Sequence, residues 1–257
     1  MSERISSKAN PRVRALRAVL SSRQGDVVGI EGFHLLREAV ASGLTLQTIF
    51  VREDQTAALE QIQPDLITEI IVLSTEAFNS VTSTEHAQGV AAVLQRPQAS
   101  YQPRTGDLLL VADGLQDPGN LGTLIRSAEA FGAAAVVLTR NTVDPWNGKC
   151  LRAAAGAAFR LPLPRWTDDL LAHLRQVEAR IFAAVPRDGA FAHNTSLVGT
   201  VVLVVGNEGA GVSSAMLQVA DERLTLATAG PTESLNAAVA GSLLLYEAAQ
   251  QRLRALP

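Results

Sequence analysis

Val204-Val205-Gly206-Asn207-Glu208-Gly209-Ala210-Gly211 decides how the chain is read. The apolar run of residues 201–205 stops at a loop holding three glycines and one carboxylate. A short run with no polar alternation, bounded by glycine, reads as a parallel strand buried on both faces. Open α/β sheets bind ligands at the loops beyond the carboxyl ends of such strands. Glycine lets the backbone approach a ligand closely. Two other segments look built to meet this loop, residues 117–131 before it and 233–247 after it.

Working outward, strand and helix alternate. Residues 108–112, 135–138, 181–185 and 223–226 read as strands, and 120–131, 146–157, 167–177 and 234–253 as helices. That order predicts a mostly parallel sheet covered on both faces. Residues 97–106, with Pro97 and Pro103 among polar residues, read as a linker between a domain over 1–96 and one over 107–257. In the first domain Asn10-Pro11 opens a helix, Asn as N-cap and Pro in the first turn. Val13, Leu16, Val19 and Leu20 form its apolar stripe. Strands at 27–31, 46–51, 67–73 and 90–94 then alternate with helices at 32–42, 55–63 and 75–81, a small α/β domain. Phe33, Leu36 and Val40 are the expected inward residues of the helix at 32–42.

The 257 residues are 47% hydrophobic and 18% charged, a globular composition. A net charge of −3 gives no whole-chain attraction to nucleic acid, so an RNA site must be a local patch. Such a patch lies on the first helix. Arg4, Lys8, Arg12, Arg14, Arg17 and Arg23 face only Glu3 in the local sequence, whereas residues 53–95 carry acids and no base. The bland reading is a solvated helix face, and the functional one is phosphate contact through Arg12, Arg14, Arg17 and Arg23. The single cysteine, Cys150, excludes an intramolecular disulfide framework, and the four histidines show no metal-ligand spacing. No metal is expected. The polar, basic N-terminus resembles no signal peptide and no apolar stretch is long enough to span a bilayer, so a cytoplasmic, membrane-free protein is expected.

Common nucleotide and hydrolase motifs are missing. Gly206, Gly209 and Gly211 give GxxGxG late in the domain, not the GxGxxG that follows a first strand. There is no P-loop, no GxSxG and no HExxH. Three polar clusters remain: Asn120 with Arg126, Glu208 in the glycine loop, and Ser234-Leu235-Asn236 where the last long helix begins.

These clusters, in this order and spacing, resemble the SpoU (TrmH-like) branch of the SPOUT methyltransferases. The resemblance covers about residues 107–250, through Asn120 to Arg126 with Phe131-Gly132, through Gly206-Asn207-Glu208-Gly209, and through Ser234-Leu235-Asn236 before Ala237-Ala238-Val239-Ala240. Asn10-Pro11, the basic helix and Glu31-Gly32 look like the small ribosomal-protein-like RNA-binding domain found in many members. Ala227-Thr228 stands where relatives commonly carry Pro-Met.

The resemblance implies an α/β domain with a deep trefoil knot, a feature rare among folds. It implies a homodimer that moves a methyl group from S-adenosylmethionine to a ribose 2′-OH of RNA. Ribosomal RNA is preferred over transfer RNA because the extra N-terminal domain suits a structured target; a non-catalytic assembly factor is the alternative of another class. Gly206, Leu226 and Leu235 would line the cofactor. Arg126 would be the catalytic arginine, with Asn120, Glu208, Ser234 and Asn236 ordering the site. A guanidinium holds its proton past pH ~12, so Arg126 acts either within a phosphate cluster as a base or as a stabiliser of developing charge.

Overall fold

The computed structural model describes residues 3–21, 25–62, 68–82, 87–98 and 100–255. It divides into two compact units, Met1–Gln98 with Trp146–Arg160, and Ala99–Pro145 with Leu161–Pro257.

In the first unit the chain runs β1 (Glu3–Ile5), α1 (Pro11–Ser21), β2 (Val27–Glu31), α2 (Phe33–Ala41), β3 (Leu46–Arg52), α3 (Thr56–Glu60), β4 (Glu69–Leu73), α4 (Thr75–Asn79) and β5 (Val90–Gln95). Its sheet has the order β1-β4-β3-β5-β2, with β5 antiparallel to both neighbours and β4 parallel to both of its own. Asn10 caps α1 as expected, its Oδ1 accepting the Arg12 N–H at 2.8 Å. The strand β1 has no sequence counterpart, because Glu-Arg-Ile is too short and polar to show periodicity and is held by pairing with Ile71–Leu73. In α2, Leu36 is buried as expected, but its buried companions are Leu35 and Ala39. Phe33 and Val40 are half-buried. The helix is therefore rotated from the expected facing by tertiary packing. The expected helix end at Gln63 and strand start at Ile67 lie outside the described residues.

The second half runs β6 (Leu108–Asp113), α5 (Pro118–Ala130), β7 (Ala135–Leu138), α6 (Gly148–Ala154), α7 (Ala157–Arg160), α8 (Asp168–Gln176), β8 (Arg180–Ala184), β9 (Ala190–Phe191), β10 (Val201–Gly206), α9 (Ser214–Val219), β11 (Glu222–Thr225) and α10 (Ala237–Arg254). The helices α6 and α7 belong to the first unit. There Trp146 stacks on Phe159 with ring centroids 6.4 Å apart, and the Arg160 guanidinium reaches Glu38 at 2.5 Å.

The second unit's sheet, β7-β6-β10-β8-β11-β9, is parallel throughout, as its uninterrupted apolar strands require. Every residue of β6 and β10 is buried. One face packs Leu109, Val111, Ile181, Val202 and Val204 against Leu170 and Leu174 of α8 and Met216 of α9. The other lies under α5 and α10, where a Cβ on Gly241 would press on Leu124 and Val205. The register sets Gly206 beside Asp113, so the loops after β10 and β6 leave the same edge of the sheet together. Ordered structure begins before residue 107. Half-buried Tyr101 packs against this core and hydrogen-bonds the Asp107 carboxylate, and Arg252 donates to the Gly106 carbonyl at 2.6 Å.

Candidate active site

Three chain segments meet beyond the carboxyl edge of the parallel sheet. The first follows β6. The Asp117 carboxylate accepts the Asn120 N–H at 2.9 Å, and Pro118 starts α5. The helix thus begins two residues before the expected Asn120, which sits in its first turn.

The second segment is the glycine loop. Asn207 and Gly211 exchange backbone hydrogen bonds, each at 2.9 Å. The Asn207 Oδ1 accepts the N–H groups of Gly209 at 2.9 Å and Ala210 at 3.0 Å, while its Nδ2 donates to the Gly114 carbonyl at 3.0 Å. Buried Asp113 latches the far side, accepting the Ser213 N–H at 2.7 Å. The loop therefore closes on itself and is tied to the loop after β6, with Glu208 exposed at its tip. Sequence reasoning quoted Asn207 within the motif but assigned no role to it or to Asp113. An Asn between glycines, able to satisfy its own turn through its side chain, was the available signal.

The third segment precedes α10. Asn236 caps that helix, its Oδ1 accepting the N–H groups of Ala238 at 2.9 Å and Val239 at 3.2 Å. Its Nδ2 is left to donate to Asn120 Oδ1 at 3.2 Å, and Asn120 Nδ2 donates to Glu208 Oε1 at 2.7 Å. Each amide orientation is fixed by the next: helix N–H to Asn236, Asn236 to Asn120, Asn120 to carboxylate. The positive end of an 18-residue helix is thereby connected to Glu208 through two aligned amide dipoles.

Beside this chain lies an open-mouthed cavity of about 210 Å³. Its walls include Val185, Val205, Leu224 and Leu244 together with Gly206, Leu226 and Leu235. Glu208, Glu233 and Ser234 are at its polar side. The mixture of apolar walls with few polar groups suits an organic ligand entering from the open side. The carboxylates favour a cationic one. At Gly206, any Cβ would collide with the backbone of Gly211 and Val212, so glycine sets how closely the loop folds over the strand end.

The structure thus gathers Asn120, Glu208 and Asn236 into one hydrogen-bonded set and puts Gly206, Leu226, Ser234, Leu235 and Glu208 around one cavity. Arg126 stands outside that set. It is exposed on α5 and makes no hydrogen bond or ion pair among the described residues. Six residues along a helix from Asn120, it projects about 120° away around the axis.

The basic face of the first unit differs from its sequence reading. Arg12 pairs with Glu69 at 2.5 Å and Glu3 at 3.3 Å, Arg4 with Glu53 at 2.7 Å and Lys8 with Glu76 at 2.8 Å. The hydrogen bond that Arg12 donates to Glu69 raises the Arg12 pKa, and those donated by Arg4 and Lys8 hold Glu53 and Glu76 below the usual carboxylate range. Arg17 donates to the Ser80 carbonyl and hydroxyl, both at 3.0 Å. Of the four arginines expected to contact RNA, Arg14 keeps a free guanidinium, and Arg23 lies outside the described residues. The acids that neutralise this face are distant in sequence, so local charge counting missed them.

Residues 107–246 match the SpoU rRNA Methylase family. The chain belongs to that family. Residues 10–92 of this SpoU protein match the MRM3-like substrate binding domain. It is 40% identical over 224 residues to the 23S rRNA (guanosine(2553)-2′-O)-methyltransferase RlmP of Bacillus subtilis strain 168, covering 84% of this chain and 86% of that one. Its fold is similar to the SpoU methyltransferase AviRb from Streptomyces viridochromogenes in complex with AdoMet, with a TM-score of 0.86 at 26% identity over 95% of this chain and 98% of that one. An AdoMet-bound rRNA methyltransferase from Sinorhizobium meliloti superposes with a TM-score of 0.87 at 25% identity, covering 100% and 99% of the two chains. The family resemblance read from the three motifs is borne out.

Proposed function

We propose that this protein transfers the methyl group of S-adenosylmethionine to the 2′-hydroxyl of a ribose in ribosomal RNA. The observation that carries this reading is the Glu208–Asn120–Asn236 chain beside a cavity with apolar walls and a carboxylate rim, in a chain of the SpoU family. S-adenosylmethionine, when bound, supplies an electrophilic methyl on a sulfonium. Gly206, Leu226 and Leu235 hold it through backbone groups and apolar walls, and the carboxylates of Glu208 and Glu233 favour its positive charge. Asn120 and Asn236 hold Glu208 in one rotamer, and Ser234 offers a hydroxyl with no partner among the described residues. Arg126, unpaired and exposed, binds an RNA phosphate near the target ribose and stabilises charge there, because a guanidinium does not release its proton at neutral pH.

The ribosomal preference is supported by the RlmP relative and by the match of residues 10–92 to a substrate-binding domain. RNA docks on that domain through Arg14. Arg12 joins by exchanging its exposed carboxylate partners for phosphate, since such surface pairs hold only about 0–1 kcal/mol, and Arg17 joins by leaving Ser80; Arg23 is included on its charge and position in the sequence. The working form is a homodimer. Val239, Leu243, Tyr246 and Leu253 leave large apolar side chains exposed at intervals that recur along one stripe of α10, and a second copy of the same helix would cover them. The segment around β10 and α10 forms the family's knot. No helix among the described residues is long and apolar enough to cross a membrane.

The test is transfer of tritiated methyl from S-adenosylmethionine to ribosomal RNA purified from cells of the source organism that lack the gene, followed by mapping of ribose methylation. One labelled 2′-O-methyl nucleotide is expected. Labelling of transfer RNA alone, or no labelling with no cofactor binding, would reject the reading.

A further inference from the structure

We propose that a second cavity, between α6 and β2, holds one unpaired nucleotide of the RNA substrate. The proposal rests on the ribosomal RNA reading above and adds a contact away from the methyl-transfer site. The walls of this cavity come from chain that the linear order separates. Residues 146–160 follow β7 in sequence but pack in the first unit. Two features pin them there. Gly156, at φ +92°, lies so close to α2 that a Cβ would stand 2.7 Å from the Glu38 Cβ. The Arg160 guanidinium reaches the same Glu38 at 2.5 Å. In β2, Gly29 admits the end of α1, since a Cβ there would meet the Leu20 backbone nitrogen at 3.1 Å. With both sides held, α6 rests beside β2 and a cavity of about 170 Å³ remains. One ordered water needs only about 10–15 Å³ of such space, so there is room for a larger guest.

The lining is that of an anion site. Lys149 and Arg152 stand on the walls against one carboxylate, Glu31. The cavity at the sheet edge has the opposite character, with Glu208 and Glu233 on its walls and no cation among its lining residues. Arg152 makes no hydrogen bond or ion pair among the described residues. Its Nη1 nevertheless folds back to 3.4 Å from where a Cβ on Gly148 would stand, so the guanidinium lies over the cavity wall. A guanidinium without protein partners suits a phosphate, whose oxygens accept its N–H groups in pairs.

The remaining walls suit a base. Asn147 Oδ1 accepts the Lys149 N–H at 2.9 Å, which fixes the amide and leaves its Nδ2 to donate to a guest. Glu31 offers acceptor oxygens, and Leu20 and Leu35 offer apolar surface. A phosphate for Arg152 and Lys149, a flat face for leucine, and an edge with an acceptor for Asn147 and a donor for Glu31 together describe a nucleotide. It must be unpaired, because bases inside an RNA duplex are stacked and their edges already paired. The way in is marked by charge. Leu20 lies one turn beyond Arg17 on α1, so a strand laid along the basic face of that helix reaches the cavity.

Two variants test this by different routes. Gly148→Leu fills the space without changing charge, and its Cβ meets only the movable end of Arg152. Arg152→Gln removes a cation that no protein contact uses. Affinity for the ribosomal RNA described above is measured by filter binding from about 50 to 200 mM salt. Single-turnover transfer of tritiated methyl at saturating RNA, S-adenosylmethionine affinity and thermal melting are followed beside it. Inorganic phosphate and the four nucleoside 5′-monophosphates are titrated by calorimetry as free-anion probes. Each variant should lose about tenfold in RNA affinity. Arg152→Gln should also lower the salt slope by about one, whereas Gly148→Leu should leave the slope as it is. Transfer at saturating RNA and cofactor affinity should match wild type, with melting within about 2 °C of it. The proposal is overturned if Arg152→Gln binds RNA with wild-type affinity and slope, or if a well-folded Gly148→Leu binds RNA as wild type does, which would leave only a surface cation. Should Gly148→Leu melt early, Arg152→Gln decides alone. Phosphate or a monophosphate that binds wild type and is lost in Arg152→Gln, with RNA affinity unchanged, makes this a small-anion site and also overturns it. A wild type that shows both variant effects on RNA binding but transfers no methyl sinks the methyl-transfer reading alone, and one that binds no ribosomal RNA sinks both.

Discussion

Gly206→Ala probes the packing that shapes the cavity. A Cβ at residue 206 would lie about 1 Å inside the 3.4 Å at which ordinary van der Waals contact begins, against the backbone of Gly211 and Val212. Those are main-chain atoms, so no rotamer change relieves the clash and the whole glycine loop must shift outward. Gly206 is hemmed in on the other side because β10 is fully buried and paired with both β6 and β8. A shift of about 1 Å strains the two Asn207–Gly211 backbone bonds, worth about 1 kcal/mol each, or compresses the loop at an overpacking cost of about 1–3 kcal/mol. Either route sets a loss of about 1–3 kcal/mol, or about 2–12 °C in melting temperature for a chain of this length. The displaced loop also carries Glu208 and one cavity wall, so affinity for S-adenosylmethionine should fall by tenfold or more. Gly209→Ala is the control. A Cβ there meets nothing nearer than the Asn207 side-chain oxygen at 3.7 Å, and its melting temperature should stay within about 2 °C of wild type. Scanning calorimetry and cofactor titration measure both variants. If Gly206→Ala melts with wild type and binds the cofactor equally well, the close approach of loop to strand end is not what shapes the site.

Asn236 does two jobs that substitutions can separate. Asn236→Ala should lose the α10 cap and about 1 kcal/mol of stability, whereas Asn236→Asp keeps a capping oxygen but cannot donate to Asn120, so it should melt normally and methylate slowly; full activity in Asn236→Asp would show that the amide chain is dispensable. At Tyr101, burial first and the Asp107 hydrogen bond second push the phenol above its ordinary value of about 10. The folded state favours the neutral phenol, so this stabilisation is complete below about pH 10 and lost as pH rises beyond it. Ultraviolet titration should show one of the two tyrosines ionising only with unfolding, and Tyr101→Phe should abolish that late transition at a cost of about 0.5–1.5 kcal/mol; a phenol that ionises near pH 10 in the folded Tyr246→Phe variant contradicts the packing. Leu243→Asp places a charge in the exposed stripe of α10 and should convert a dimer to monomers in sedimentation velocity, while an unchanged dimer would move the subunit interface elsewhere.

What the sequence determined by itself is whatever depends on neighbours along the chain. The run 201–205 is apolar on both faces, so it could only be a buried strand, and every residue of β10 is buried. Asn10 announces its helix because a cap acts within three residues. The ordered motifs carried the family, since a glycine loop closed by its own backbone and an Asn-capped helix are local constructions. Only the tertiary structure decided how those pieces face one another. Asn120 meets Glu208 across 88 residues and Asn236 across 116, while Arg126, in the same motif as Asn120, is turned away by the helical repeat. The basic stripe of α1 looked open to phosphate until the fold set Glu69 on Arg12 from 57 residues away. The segment Trp146–Arg160 likewise packs with the N-terminal unit although its sequence position is in the other half. Periodicity reports which face of an element is apolar, but the partner that covers it, and the charge it meets, come from chain folded back from far away.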